Sequence, residues 1–558
     1  MKSLKFSAFV AVVMASTIVV ILGMRSILAP QGIRPPVEAK EYAAQPQTHV
    51  FLTPSPSGDD AAQIEQAFET AKEAGPGSIV ELGEGTFTIS RPITVLNFDG
   101  TFKGAGKGLT IVQNKFIPGG YFPVAPEPLQ ATTGLFTFYS TTGVARGGSA
   151  DNPANLAFSD MTLKELGNGS PYIYHEGDPY LNYFGYFVLV AGRNVAGTND
   201  GLPAFVNVTW ERMGLVGEIS ESLPPTNMSS SYGLVVFGWT KKDRVQTDEG
   251  WIITPETFDP QPITGTFTVA DCTFEKMEAP FAVYGADNSD IAFRNSVASD
   301  VVWTGAHFWS VKSTLRPSNI DVSNVKIVNP ASTTAYTFGI NAVALWRISG
   351  ANVNVTGLDT TNISGVWVNQ KIPSDSDPSV ITAPSTFFFS KNTIRMLPDS
   401  WWAGFELYDW VNRDTGVKTA NVILDKNNIT SNDTDSYYNA IYSENISDAV
   451  VSKNKISGTG VTGILEWSDG WTITKNDMRD LTVSDQGWNA KIVLAGNDNV
   501  VSGNKDATVV DYGTGNMVVG SNATKKVIKP ELKAAKKCLN DVKRGGMFEQ
   551  SEACGVLE

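Results

Sequence analysis

Several acidic side chains in the last third of the chain are spaced so that they could act together on a substrate. Glu444 (AIYSEN) and Glu466 (GILEWSDG) each lie five residues before a copy of a repeated frame, which begins at Ala449 and at Trp471. If the copies stack in register, the two carboxylates lie on adjacent strands about 4.8 Å apart. Such a pair raises one pKa or binds a cation, and its spacing is close to the roughly 5–5.5 Å of retaining glycosidases. We therefore take Glu444, Glu466 and Glu406 as candidate acid and base groups.

The same part of the chain offers side chains that could bind a sugar. Charged residues interrupt apolar segments at Arg347 (AVALWRIS) and Asp409 (GFELYDW), and all 13 Trp lie beyond residue 200. An exposed indole face can stack on a sugar ring. The candidate substrate-binding residues are Trp401, Trp402, Trp467, Asp409 and Arg347. Two plainer interpretations stay open: the acids are solvated or cap turns, and the aromatic side chains fill the core and cover loops.

Histidine and cysteine are too scarce to build a metal site between them. The chain has three of each, at His49, His175, His307, Cys272, Cys538 and Cys554. A structural zinc site needs four such ligands close together, so we predict no metal site of that kind. Cys272 falls within a repeated frame, where we expect it to be a packing residue and not a nucleophile.

One eight-residue frame recurs along the chain and must position these side chains. Its first and third positions are apolar, its fourth and fifth are mostly polar, and its eighth is apolar; the second and seventh take any residue. We call the sixth position of the frame the slot. Its copies begin at Leu156, Val206, Phe267, Ile291, Ile320, Val353, Phe387, Val422, Ala449, Trp471 and Asn499. From Phe267 onward the starts are 22–35 residues apart, while the two earlier steps are longer and contain either a further coil each or a large loop. Period-2 alternation inside such a repeat indicates the strands of a stacked solenoid.

The slot of the frame predicts how the coils stack. It is Asn in the last five frames, at Asn392, Asn427, Asn454, Asn476 and Asn504. Amide side chains at the same turn of successive coils can hydrogen-bond to one another as a ladder, which requires parallel stacking in register. The earlier frames place other residues in the slot, namely Met161, Glu211, Cys272, Ser296, Val325 and Leu358. The ladder is therefore expected in the C-terminal half only.

A segment before the repeat has the features of an N-terminal cap, which a solenoid needs because its end coil otherwise exposes apolar surface. Asp59 or Asp60 can cap the N-terminus of an amphipathic helix, and Gly75-Pro76-Gly77 ends it. Its apolar face consists of Ile64, Ala67, Phe68 and Ala71. With the Gly58-Asp59-Asp60 opening and the repeat, residues 50–520 resemble the pectin-lyase-like superfamily. The resemblance implies an all-β fold, a right-handed single-stranded parallel β-helix.

The resemblance says more about fold than about activity, because the superfamily includes lyases, hydrolases, epimerases, esterases, adhesins and phage tailspikes. Polygalacturonase-like members carry Asn-Thr-Asp, Asp-Asp, Gly-His-Gly and Arg-Ile-Lys in order. Two segments of this chain, Asn288-Ser289-Asp290 and Gly305-Ala306-His307, match the first and third of these motifs only in part. The Asp-Pro-His-Asp of alginate-epimerase-like members is absent. Arg347 is the Arg suited to be a pectate-lyase-like base, but it has no Asp cluster beside it. None of these catalytic motifs can therefore be matched residue by residue to this sequence.

The N-terminus predicts export. Residues 6–23 form an apolar run after Lys2 and Lys5, so residues 1–29 are a signal peptide or an uncleaved signal anchor that attaches the protein to a membrane. We therefore expect a periplasmic, cell-surface or secreted protein. In such an oxidising compartment a Cys538–Cys554 disulfide is reasonable.

The expected organisation is one long solenoid with a stretch of other structure at each end. A Pro-rich linker is predicted at 30–49 and the β-helix domain at 50–524. Residues 525–558 are predicted to form a helical C-terminal cap, which the disulfide would hold. The sequence does not indicate an oligomeric state.

Net charge limits the partners. The 57 Asp and Glu residues exceed the 43 Lys and Arg residues, which gives a formal charge of −14. This acidity argues against a nucleic-acid partner and against unaided binding of polyuronates. We expect an exported β-helix protein that binds a polysaccharide, either neutral or held through Ca²⁺, and that would be a polysaccharide lyase or glycoside hydrolase if it is an enzyme. The alternative is a non-catalytic adhesin or structural scaffold.

Overall fold

The described strands form three parallel sheets that wind around one core. The computed structural model describes residues 48–115, 133–140, 153–165, 185–192, 204–217, 232–241, 245–247, 250–252, 258–260, 263–329, 341–370, 381, 383–396, 403–432, 439–483, 488, 490–520 and 522–523. Successive strands pass from one sheet to the next, and each pairs in parallel with the equivalent strands of the coils before and after it. This is a right-handed parallel β-helix, so the fold prediction is confirmed.

We number the sheets by their place in a coil: sheet 1 carries the repeated frame, sheet 2 follows the slot, and sheet 3 precedes the next frame. Sheet 1 contains His49–Leu52, Ser78–Leu82, Gly100–Gly104, Ala154–Ser159, Ala204–Glu211, Thr266–Ala270, Asp290–Arg294, Asn319–Ser323, Asn352–Thr356, Ser385–Ser390, Ala420–Asp425, Val450–Ser452, Thr472–Thr474, Val500–Ser502 and Met517–Val519, with Ile263–Thr264 beside Ala204–Glu211. Sheet 2 contains Gly85–Ile89, Thr110–Asn114, Thr162–Lys164, Gly214–Val216, Thr273–Met277, Val297–Val301, Lys326–Val328, Asp359–Thr361, Thr393–Arg395, Asn428–Asn432, Lys455–Gly460 and Leu481–Val483. Sheet 3 contains Ile93–Leu96, Thr133–Ser140, Gly185–Gly192, Tyr232–Phe237, Ala279–Tyr284, Thr304–Trp309, Asn341–Trp346, Ser364–Asn369, Phe405–Tyr408, Asn439–Glu444, Thr462–Trp467, Ile492–Leu494, Thr508–Asp511 and Asn522–Ala523.

The two long early steps of the repeat each contain a single coil with large excursions. Between the first two frames lie one sheet 2 strand, Thr162–Lys164, and one sheet 3 strand, Gly185–Gly192. The next step likewise has Gly214–Val216 and Tyr232–Phe237, followed by two antiparallel pairs, Trp239–Lys241 with Phe258–Pro260 and Val245–Thr247 with Gly250–Ile252. Of the two alternatives, the large loop is therefore correct.

The second frame is displaced by two residues from its predicted position. Val208, and not Val206, pairs with Leu156 and with Phe267. The slot of this coil is consequently Met213, which is fully buried, and Glu211 lies at the end of the strand before the turn. A shift of two residues keeps the same face inward, so the apolar pattern alone could not detect it.

The asparagine ladder is present in the C-terminal coils. The Nδ2 of each Asn donates to the Oδ1 of the next: Asn392 to Asn427 at 3.0 Å, and Asn427 to Asn454, Asn454 to Asn476 and Asn476 to Asn504 at 2.9 Å each. Each Oδ1 of the last four also accepts the backbone N–H of the preceding Asn. Buried amides are thereby satisfied by the neighbouring coil, which fixes the register.

The predicted N-terminal cap is the helix Ala61–Ala74. Its residues Ala61, Ile64, Ala67, Phe68 and Ala71 are buried. The Phe68 ring packs against Phe98 at 5.1 Å and Phe102 at 5.0 Å between centroids, so the helix covers the apolar end of the first coils. Asp60 precedes the helix but accepts the N–H of Thr88 at 2.6 Å instead of capping it. Burial of Cys272 raises its thiol pKa to about 12, so this residue packs as predicted.

Both predicted end segments lie outside the described residues. These are the export segment with residues 30–47 of the predicted linker, and the C-terminal cap with Cys538 and Cys554, so the disulfide stays a prediction; His49, at the end of the predicted linker, already belongs to sheet 1. Within the described ranges, no helix is both long enough and apolar enough to cross a membrane.

Candidate functional site

Alternate side chains of sheet 3 point away from the core and form two parallel rows along the helix axis. In Ser364–Asn369, Val366 and Val368 belong to the core, so Trp367 and Asn369 face outward. The strand register extends this outer face across the molecule. One row contains Ala282, His307, Ala344, Trp367, Glu406, Tyr442 and Leu465. The other contains Tyr284, Trp309, Trp346, Asn369, Tyr408, Glu444 and Trp467.

Glu406 and Glu444 both belong to this outer face and are diagonal neighbours. Glu406 pairs with Tyr442, and Tyr408 pairs with Glu444. Tyr408 donates its hydroxyl proton to Glu406 Oε1 at 2.5 Å, and Tyr442 donates to Glu444 Oε1 at 2.5 Å. Each carboxyl group therefore has one oxygen held by a tyrosine. Glu406 Oε2 is buried and has no hydrogen-bond partner among the described residues.

The surroundings of Glu406 favour its protonated form. Burial raises its pKa to about 7, the Tyr408 hydrogen bond opposes this rise, and the nearby Glu444 charge adds to it. A carboxyl group that keeps its proton near neutral pH can serve as a general acid. The geometry thus brings together an acid and a second carboxylate on adjacent coils.

The expected close pair of Glu444 and Glu466 is not formed. Glu444 pairs with Trp467, whereas Glu466 pairs with Ser443. The cause is turn length: residues 445–448 separate Glu444 from its frame, but residues 468–470 separate Trp467 from the next frame. One residue fewer in the second turn shifts the register by one, and a shift of one places a side chain on the opposite face. The expectation that Glu444 and Glu466 are neighbours, which rested on their equal distance from the frame start, was therefore wrong.

Glu466 points into the core of the β-helix. Its side chain is fully buried, where Oε1 accepts from Asn499 Nδ2 at 2.8 Å and Oε2 accepts from the Ser468 N–H at 2.7 Å. Burial raises its pKa to about 8 despite these donors. The carboxyl group links neighbouring coils beside Trp471, whose Nε1 donates to the Ile446 carbonyl at 2.6 Å. We therefore leave Glu466 out of the proposed site.

Asp409 is also engaged in local structure. It precedes a short helix that was not predicted, Trp410–Thr415, and its Oδ1 accepts the Asn412 N–H at 3.0 Å. The same carboxylate accepts from the N–H of Thr419 at 2.8 Å and from the Thr419 hydroxyl at 2.7 Å. Because the side chain is fully buried, it acts here as a turn-capping acceptor, which is the plainer of the two interpretations.

Arg347 lies over the aromatic part of the outer face. It follows Trp346 with a φ of 53°, and its guanidinium carbon is 5.3 Å from the ring centre of Trp309. Partial burial lowers its pKa to about 10, which still leaves it charged at neutral pH. Among the described residues no carboxylate forms an ion pair with it, in contrast to the paired Arg294 of sheet 1 and Arg395 of sheet 2.

Trp467 is the one predicted stacking residue that the structure describes, since Trp401 and Trp402 lie outside the described residues. Trp467 is half-buried on the outer face, 6.1 Å from Trp488 between ring centres, and Trp488 is 5.4 Å from Tyr512. Sequence reasoning missed Trp367, Tyr408 and Tyr442 beside the acids. Their alternation with core residues was a usable signal, but only once the strand register was known.

No metal centre is evident in the described part of the chain. There, no group of three or more His, Cys, Asp and Glu side chains is arranged to hold an ion. The predicted role for Ca²⁺ therefore has no residues assigned to it.

Comparison with known proteins identifies similar folds only. No protein-family model and no curated protein matches the chain. Among solved structures, the A-module of a mannuronan C-5 epimerase from Azotobacter vinelandii is 14% identical over 84% of this chain and 96% of its own, with a TM-score of 0.38. PfbA, a surface adhesin of Streptococcus pneumoniae, is 11% identical over 84% and 92%, with a TM-score of 0.35. The family 28 exopolygalacturonase of Yersinia enterocolitica is 10% identical over 87% and 79%, with a TM-score of 0.34.

Proposed function

We propose that the outer face of sheet 3 binds a polysaccharide and that Glu406 and Glu444 hydrolyse a glycosidic bond within it. The observation that carries this proposal is the outward-facing diagonal pair of carboxyl groups, set within a row of Tyr and Trp rings. Aromatic faces supply apolar contact with sugar rings, and paired carboxyl groups are the usual machinery of glycoside hydrolysis.

Spacing and protonation suggest the role of each carboxyl group. Strand separation and residue rise place the Cα atoms of diagonal neighbours about 8 Å apart. Inverting glycosidases keep their carboxyl groups roughly 6.5–9.5 Å apart, which leaves room for a water molecule, and side chains that leave the sheet in parallel would keep the two carboxyl groups within that range. In this proposal Glu406, with its raised pKa, protonates the leaving oxygen, and Glu444 takes a proton from the attacking water.

The test is turnover on a panel of neutral and acidic glycans, measured as new reducing ends. We expect Glu406→Gln and Glu444→Gln each to lower kcat by at least about 10²-fold, because general acid–base catalysis contributes that much or more. Glu275→Gln, an exposed acid on sheet 2, is the matched control and should leave the rate unchanged. Full activity in both variants would refute the catalytic assignment.

The alternative function is binding without cleavage. Glu406 is only 4% exposed, so the acid pair is nearly closed to solvent in the ligand-free molecule. Retention of a glycan without any turnover would support the adhesin or scaffold function and reject hydrolysis. We also propose that the protein is exported and reaches its glycan outside the cytoplasm, with residues 6–23 as the export signal or membrane anchor.

A further inference from the structure

A second polar cluster lies on the same outer face, N-terminal to the acid pair. His307 is fully buried in it, among Trp303 at 4.7 Å, Trp346 at 4.9 Å and Trp309 at 5.8 Å between ring centres. Burial lowers its pKa to about 3, so the ring is neutral and carries one proton at neutral pH. Which nitrogen holds that proton decides whether the other is a donor or an acceptor.

A chain of hydrogen bonds leads from His307 to a partly buried acid, Glu278. The Tyr284 hydroxyl lies 3.1 Å from His307 Nδ1, Tyr232 hydrogen-bonds to Tyr284, and Glu278 hydrogen-bonds to Tyr232. Burial raises the pKa of Glu278 to about 8, so this carboxyl group keeps its proton at neutral pH. Each phenol has one proton to give. A protonated Glu278 can donate to Tyr232, which then donates to Tyr284, and Tyr284 to His307 Nδ1; in that arrangement the ring proton is on Nε2.

In that arrangement Nε2–H is a donor without an acceptor among the described residues. His307 Nε2 and Trp346 Nε1 are both buried and have no hydrogen-bond partner among the described residues. Buried polar groups are nearly always paired with protein, water or ligand, so two such donors on rings that contact each other call for an acceptor. Arg347 beside them is a cation without a described carboxylate partner. Trp346 and Arg347 are only partly buried and form the solvent-facing edge of the cluster, although the two nitrogen atoms themselves are covered.

We propose that His307 Nε2–H, Trp346 Nε1–H and Arg347 form a donor-only subsite for an anionic oxygen group, a carboxylate or a sulfate, carried by a sugar of the bound glycan. The inference rests on the proposed glycan-binding function and extends it, because it replaces a neutral glycan with one that bears negative groups. Tyr284, Tyr232 and Glu278 are positioning residues that fix the tautomer of His307. The net charge of −14 opposes this ligand only at long range, since salt screens exposed charges beyond about 8 Å.

The first test reads the tautomer directly by ¹⁵N NMR of the full-length protein labelled at histidine. Only three histidines are present, and His307→Gln assigns the signal. We expect the Nε2–H form. Tyr284→Phe should give a mixture of tautomers because Nδ1 loses its donor, whereas Glu278→Gln should keep the Nε2–H form because the amide still donates. An Nδ1–H tautomer in the unaltered protein would overturn the proposal.

The second test follows the same NMR signal during titration with monosaccharides. Glucuronate and glucose 6-sulfate distinguish the two anionic groups, and glucose is the neutral control. At least one anionic sugar should shift the His307 signal, glucose should not, and Arg347→Gln should weaken the binding about tenfold. Arg294→Gln removes an equal charge from sheet 1 and should have no effect.

Two results would overturn the subsite while leaving the broader function intact. One is an equal response to glucose and to both anionic sugars; the other is unchanged binding in Arg347→Gln. Failure of the proposed function is distinguishable from both, because it appears as a complete lack of retention or turnover on the polysaccharide panel.

Discussion

At the scale of single residues, two buried glutamates illustrate how position decides role. Glu406 and Glu466 both lie in sheet 3 and both have a raised pKa. Glu406 faces outward with one oxygen lacking a described partner, whereas Glu466 faces inward and uses both oxygens as hydrogen-bond acceptors. A raised pKa therefore does not identify a catalytic acid by itself; the direction in which the side chain points separates the two.

The raised pKa of Glu406 predicts a pH-dependent stability. The folded state holds this proton up to about pH 7, and the ordinary carboxyl pKa is 4.5. Below the ordinary pKa the group is protonated in both states and has no effect; between the two pKa values the folded state binds more protons, so stability falls as pH rises. Glu406→Gln has no carboxyl group to ionise and so removes this loss. Relative to the unaltered protein, its free energy of unfolding should be up to about 3 kcal/mol higher at pH 8 than at pH 4.

Urea unfolding at the two pH values measures this difference. Glu275→Gln is the control, because an exposed acid should give the same small change at both. If the free energy of unfolding of Glu406→Gln follows that of the unaltered protein at both pH values, the pKa of Glu406 is not raised in the folded state.

At the scale of elements, the sequence predicted best the stacking register of sheet 1 from Phe267 onward, and it predicted least the lengths of the turns that lead into it. The frame identified sheet 1 because its apolar alternation is repeated and its Asn slot marks a fixed turn. The register of sheet 3 depends on turns such as 445–448 and 468–470, which differ by one residue. Sequence alone therefore named Glu406 and Glu444 but joined Glu444 to the wrong partner, and it missed the helix that Asp409 begins.

The ladder offers a test of the elements that hold the coils together. Asn454→Ala removes the acceptor of the Asn427 N–H and Nδ2 groups and the donor to the Leu424 carbonyl, all of them buried. Each buried group left without a partner costs about 1–3 kcal/mol, so we expect a loss of at least about 3 kcal/mol in the free energy of unfolding.

The matched control is Asn352→Ala. Asn352 is exposed on sheet 1 and donates to Asn319 at 3.2 Å, so its removal should cost less than about 0.5 kcal/mol. Equal costs for the two variants, measured by denaturant unfolding, would show that the buried ladder contributes no more than a surface contact.

At the scale of the whole molecule, the solenoid converts a local motif into a long surface. Every coil adds one outward position to each row of sheet 3, and six strand-to-strand steps from Tyr284 to Trp467 cover about 29 Å. The acid pair lies within this length and not at its end. A polymer bound along the axis would therefore contact aromatic side chains on both sides of Glu406.

The most direct test of this account is a crystal structure of Glu406→Gln with a fragment of the glycan that the unaltered protein retains. The substitution slows cleavage while it keeps the shape of the site. We expect the sugar to lie on the outer face of sheet 3, parallel to the axis of the β-helix, within hydrogen-bond distance of residue 406 and Glu444. A glycan on the outer face of sheet 1 or sheet 2, or the absence of any retained glycan, would contradict it.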